Sequence, residues 1–156
     1  MSAADDSNEP AGNSIVVGVD RSAGSAAALQ TAISFASRLH APLHVLHVLA
    51  ASDTPIDLDG PDWESTTAAT VRAGADAVRE VLEASGLPDC SWHQHDGEGD
   101  PAATLVSLAQ REAACMIIVG AHHHDMASRL HALVDGSVAQ RLLRISPIPV
   151  LVVPHH

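Results

Sequence analysis

Five short apolar runs along the chain alternate with longer stretches in which apolar residues recur every three or four positions. The first run, Ser14-Ile15-Val16-Val17-Gly18-Val19-Asp20, is apolar throughout and bounded by turn-forming residues. That is the pattern of a strand buried on both faces. Arg21 to Gly24 reads as a turn. From Ser25 to Leu39 the residues Leu29, Ala32, Ile33 and Ala36 fall at helical spacing, and Pro42 closes the segment. This predicts an amphipathic helix. Leu43 to Leu49 (LHVLHVL) is a second buried strand. Residues 50–62, acidic with two prolines and a glycine, read as a loop.

A second helix is expected from about Trp63 to Ser85, with Val71, Ala75, Val78 and Leu82 on one face and Gly86-Leu87-Pro88 as its stop. Cys90 to Asp96 has the look of a third strand, more polar than the others and hence expected at an edge. Asp100-Pro101 starts a third helix, Asp accepting from free backbone N–H groups and Pro occupying the first helical position. That helix turns Ala102, Leu105, Val106, Ala109 and Ala113 inward. Cys115 to Val119 is a fourth strand, and 120–135 a long, partly helical connection. Gly136-Ser137 opens a fourth helix with Val138, Leu142 and Ile145 on its apolar face. Ile148 to Val153, framed by Pro147 and Pro154, is the last strand.

This alternation predicts an α/β fold: a doubly wound five-stranded parallel sheet with helices on both faces and right-handed crossovers. In such sheets a ligand sits beyond the carboxyl ends of the strands, where the winding reverses. With the first and fourth strands as neighbours there, the residues of interest are Gly18–Ser25, Val48, Gly120–His124 and Gly136–Val138. Residues 1–13, small, acidic and polar, read as a disordered tail before a single domain over 14–156.

Composition removes several functions. Acidic residues number 19 against 8 basic ones, a net charge of −11, which argues against a nucleic-acid-binding face and against docking on anionic membranes. All 8 basic residues are Arg, so a P-loop, a Lys Schiff base and an SxxK nucleophile are excluded. Only 3 residues are aromatic, leaving the core to Ala, Val, Leu and Ile. The start of the chain lacks the charged and apolar regions of a signal peptide, and no apolar run could span a bilayer. A cytoplasmic protein is expected. Cys90 and Cys115 lack CxxC spacing and read as idle thiols.

Four segments resemble the universal stress protein family: IVVGVDRSAGS, LHVLHVL, GDPAATLVSLAQREAACMIIVG and GSVAQRLLRISPIPVLVVP. The resemblance covers nearly all of residues 14–154 and implies an adenine nucleotide alpha-hydrolase-like fold that binds ATP or a related adenine nucleotide, with or without Mg. It would put Asp20, Val48 and the backbone near Gly18 around the adenine. Gly120, Gly136, Ser137 and Val138 would lie around ribose and phosphates, and Val119 and His123 are further candidates beside them. The ATP-binding branch carries Gly-x-x-Gly, nine residues, then Gly-Ser or Gly-Thr. Here Gly120 matches the first glycine, His123 replaces the second, and twelve residues separate His123 from Gly136. A side chain at that second position crowds the backbone approach to phosphate. The helix start at Gly136-Ser137 keeps the free N–H groups that favour an anion, with Asp135 before it as a competing carboxylate. The resemblance further implies a homodimer made by pairing of the Ile148–Val153 edge across a two-fold axis.

Other constellations have plainer readings. Ser22 and Ser25 read as caps of the first helix. His122-His123-His124-Asp125 could hold a metal, could offer His123 as a phosphate donor, or could be a solvated loop; consecutive histidines converge poorly on one tetrahedral ion, which favours the last. Gly97-Glu98-Gly99-Asp100-Pro101-Ala102 formally fits a dinucleotide fingerprint, but no acid ends the next strand, so a turn with an N-cap is preferred. His44 and His47 have opposite strand parity and read as satisfied core histidines. His93 and His95 share one face of an edge strand, thin ground for a metal. His155 and His156 are terminal. No G-x-S-x-G or HExxH is present.

Three functional readings follow: an adenine-nucleotide-binding protein with little or no catalysis, a nucleotide-free dimeric interaction module, and a weak ATP hydrolase or metal-dependent enzyme. Bound nucleotide separates the first from the second, and metal content tests the third.

Overall fold

The computed structural model describes residues 12–20, 23–49, 63–88, 91–121 and 138–154. The chain runs β1 (Ser14–Val19), α1 (Ala23–Leu39), β2 (Leu43–Leu49), α2 (Trp63–Ala84), β3 (Trp92–Glu98), α3 (Pro101–Arg111), β4 (Ala114–Gly120), α4 (Val138–Ile145) and β5 (Val150–Val153). All pairings are parallel, in the order β3-β2-β1-β4-β5. The winding therefore steps from β1 out to β3, then returns across the sheet to β4 and β5.

Alternate residues of the apolar strands feed two separate cores. Ile15, Val17, Leu43, Val45 and Ile118 pack under α1 and α2, where Ala28, Ala32, Ile33 and Leu82 meet them. Val16, Leu46, Ile117 and Val119 pack under α3 and α4, against Ala102, Leu105, Leu108, Ala109 and Leu142. The sheet is thus covered on both faces, which is why its central strands carry no polar alternation. Small alanines on α1 let the helix lie close to the sheet, supplying the packing that aromatic residues would supply elsewhere.

Several local expectations shift. β3 begins and ends two residues later than expected, pairing through Val48↔Gly97 and Leu49↔Glu98, and it does occupy an edge. Ala113 lies beyond α3 with a positive φ of 49°, and Leu108 takes a place in the core instead. Ile145 is exposed, because α4 buries only Leu142 fully. Ile148 lies in the turn before β5, where Ser146 Oγ donates to its carbonyl and accepts its N–H. Asp100 holds the N-cap position of α3 with extended backbone, yet its carboxylate caps nothing. It pairs instead with the Arg141 guanidinium of α4, tying together the two helices of that face. Gly99 has a φ of 96°, the turn conformation expected before that helix.

Ser22, Cys90, the 50–62 loop, the 120–135 connection beyond Ala121 and the first eleven residues lie outside the described residues, as does the side chain of Val71.

Candidate functional site

The strand order makes β1 and β4 neighbours, in the register Ile15↔Met116, Val16↔Ile117 and Val17↔Ile118. Their carboxyl ends, at Val19 and Gly120, are where the winding reverses. Three of the sequence candidates meet there. Gly18 sits one residue short of the end of β1, with Leu105 of α3 and Val119 of β4 against it. Asp20 follows β1 and is exposed; its backbone N–H donates to Ser25 Oγ at 2.7 Å. Ser25 itself is buried. It lies in the first turn of α1 rather than capping it, and folds that turn back onto the strand end. Gly120 packs backbone to backbone on α1: a methyl group there would lie 2.2 Å from the Gly24 carbonyl oxygen. The tip of β4 and the first turn of α1 are therefore in direct contact.

Val119 is buried in the α3/α4 core, and Val138 is half-buried in the first turn of α4. Val48 lies in β2, paired with Gly97; its side chain, together with His123, Gly136, Ser137, Asp135 and the whole His122–Asp125 cluster, lies outside the described residues.

Beside Asp20 a cavity of about 420 Å³ opens between α1 and α2. Val19, Asp20, Ser25 and Leu29 form one wall, and Gly74, Ala77, Val78 and Val81 of α2 the other. Sequence reasoning anticipated Val19, Asp20 and Ser25 here but not the wall from α2, because the separation of two helices is set by tertiary packing. Nearby, His47 is 6% exposed and its Nδ1 is buried with no hydrogen-bond partner among the described residues. Its ring lies beneath Gly74 of α2. The reading of His47 as a satisfied core histidine is corrected on that nitrogen.

His44 does have a partner, which the sequence did not reveal. Its Nδ1 lies 3.0 Å from Nε2 of His95, and its ring stacks on His93 with centroids 5.1 Å apart. Strand parity puts His93 and His95 on one face; the β2–β3 register His44↔His93 and Leu46↔His95 adds His44 to that face. Glu112, directly after α3, brings a carboxylate oxygen to 3.8 Å from His44 Nε2. That is too long for a hydrogen bond. Desolvation by burial lowers the pKa of His44 and of His95, and Glu112 only partly offsets it. Glu112 is held below its ordinary value, first by the hydrogen bond from Arg111. Neutral imidazoles beside an ionised carboxylate result near neutral pH. This group lies toward the amino ends of the strands, at the opposite end of the sheet from Asp20 and Gly120.

The doubly wound parallel sheet, with its reversal at β1 and β4, defines a class of α/β proteins built to present strand tips and helix starts to a ligand. Within that class the chain belongs to the universal stress protein family, whose model matches residues 13–154. It is similar to the stress response protein NhaX of Bacillus subtilis (strain 168), at 30% identity over 89% of this chain and 96% of that protein. The universal stress protein MJ0531 of Methanocaldococcus jannaschii is 28% identical over 89% of this chain and 80% of its own length. Among solved structures, a universal stress protein in complex with cAMP matches with a TM-score of 0.67 and 26% identity, covering 92% of this chain and 98% of that one. Among the described residues no helix is long and apolar enough to cross a membrane.

Proposed function

We propose that this universal stress protein binds an adenine nucleotide at the β1/β4 tips and turns it over slowly or not at all. The observation that carries the reading is the contact of Gly120 with Gly24 beside Asp20. It sets backbone N–H groups and one carboxylate at the switch point, the combination suited to an anionic ligand with a hydrogen-bonding base. The cavity beside Asp20 falls in the size range of small-molecule sites, about 300–1,000 Å³, and its apolar wall suits a flat ring. The cAMP-bound relative supports the same ligand class. Asp20 would accept from the base or ribose, Gly18 and Val48 would flank the base, and Val119, Gly120 and Val138 would lie toward ribose and phosphate. His123, Gly136 and Ser137 would complete the phosphate end, with Mg as an optional companion of ATP.

Calorimetric titration with ATP, AMP and cAMP tests this. At least one should bind, and Asp20→Ala should weaken it by about tenfold, the loss of one hydrogen bond to a charged group at roughly 1.5 kcal/mol. Absence of heat for all three at millimolar ligand would leave the nucleotide-free reading in its place.

A homodimer belongs to the same proposal. All four residues of β5, Val150–Val153, are apolar and half-buried at the sheet edge, where an uncovered row of backbone groups favours pairing with a second copy. The work of such a dimer is assigned to the cytoplasm.

A further inference from the structure

We propose that His44, His95 and Glu112 form a binding site for one divalent transition-metal ion of the zinc class, separate from the nucleotide site. Among the described residues this is the only group of three or more such side chains that could hold an ion: one donor atom from each lies within 4.8 Å of the others. A tetrahedral zinc ion bonds nitrogen and carboxylate oxygen at about 2.0–2.2 Å, which puts its donors roughly 3.3 Å apart. His44 Nδ1 and His95 Nε2, 3.0 Å apart, already stand at nearly that separation. The Glu112 carboxylate lies 3.8 Å from the other ring nitrogen of His44, Nε2; from within 4.8 Å of the donor nitrogens it has to swing by roughly 1.5 Å to reach ligand separation, within reach of a side chain 29% exposed at a helix end.

The hydrogen bond between the two rings gives the chemistry of the exchange. One nitrogen donates and the other accepts; an ion takes the place of the shared proton, which moves to the far nitrogen of its own ring. Both imidazoles then offer a lone pair to the metal and stay neutral, as ligation requires. The low basicity imposed by burial favours that state near neutral pH, and Glu112 contributes the negative charge.

The frame is rigid where it needs to be. His44 is 6% exposed, its backbone is fixed by pairing on both sides, and the His93 ring stacks on it. His95 and Glu112 face solvent in part, so an ion can enter and water can complete its coordination. Two nitrogens and one carboxylate oxygen favour zinc over magnesium or calcium, which prefer oxygen ligands throughout. An ion here would join edge strand β3 to β2 and to the end of α3.

The full-length protein, stripped with EDTA and dialysed, is titrated with zinc chloride by calorimetry and with cobalt chloride by visible absorption. Because the chain holds 11 histidines, His122→Ala/His123→Ala/His124→Ala serves as a control. One ion per chain should bind with the same affinity in that control. His95→Ala and Glu112→Gln should each weaken it by about tenfold or more and abolish the cobalt bands of a low-coordinate site. The proposal is overturned if zinc does not bind, if both single variants bind as the parent does, or if the control loses the ion. Glu112→Gln keeps the shape of its side chain and provides the decisive reading if His95→Ala proves poorly folded.

Discussion

Glycine is required for different reasons at different positions, and substitution separates them. At Gly120 a methyl group meets a backbone carbonyl that cannot rotate away. At Gly74 the nearest atoms to a methyl are His47 Cε1 and Nε2 at 3.5 Å, an ordinary contact, and the position lies in a helix where Ala is preferred. Gly120→Ala should cost about 2 kcal/mol and lower Tm by roughly 4–8 °C, whereas Gly74→Ala should raise it by roughly 1–4 °C. Differential scanning calorimetry of the two variants checks this; equal and opposite signs to those given would mean that the β4–α1 contact is looser than described. The importance of Gly120 could be read from its place after an apolar run. Its partner Gly24 could not, since the approach of a strand tip to a helix start is a tertiary distance. Likewise Asp100 was legible as a helix start, but its choice of Arg141 over the helix N–H groups depends on where α4 lies.

Edge strand β3 shows where element-level reasoning weakens. Its polar residues gave it away as an edge, yet they also hid its limits, because an edge strand facing solvent need not stay apolar as far as Glu98. The two-residue error matters, since register against β2 decides which histidines meet. The His44–His95 pair carries a pH signature. Both groups have folded pKa values below their ordinary 6.5, so the unfolded chain binds more protons in the window between. Stability should therefore fall as pH drops below about 6.5 and through the lowered folded values. Glu112, also lowered, adds loss of the same sign below about 4.5. His93, Asp96 and Arg111 lie close enough to modulate the group, Arg111 and His93 disfavouring protonation and Asp96, on the opposite face of the strand, favouring it at His95. Urea midpoints measured with EDTA present should decline from pH 7 to pH 5, and His44→Gln should flatten the slope. A parent protein equally stable at both values would contradict the burial argument.

For the molecule as a whole, alternating apolar runs and helical periodicities were enough to read the five strands, the four helices and the two-sided cover. The neighbouring of β1 and β4 was legible as a consequence of winding rules rather than of any residue. The cavity between α1 and α2 was not, because it depends on how far α2 stands from the sheet, and among the described side chains of α2 only Leu82 is fully buried. Assembly belongs to the whole molecule too: sedimentation equilibrium should return twice the chain mass, and a monomer at micromolar concentration would rule out pairing through β5.

Backbone amide chemical shifts read directly whether a nucleotide binds at the β1/β4 tips. On addition of ATP, AMP or cAMP to isotope-labelled protein, resonances of Gly18, Asp20, Gly24, Ser25 and Gly120 should move together while those of His44, His95 and Glu112 stay still. Unchanged spectra, or shifts confined to the opposite end of the sheet, would contradict it.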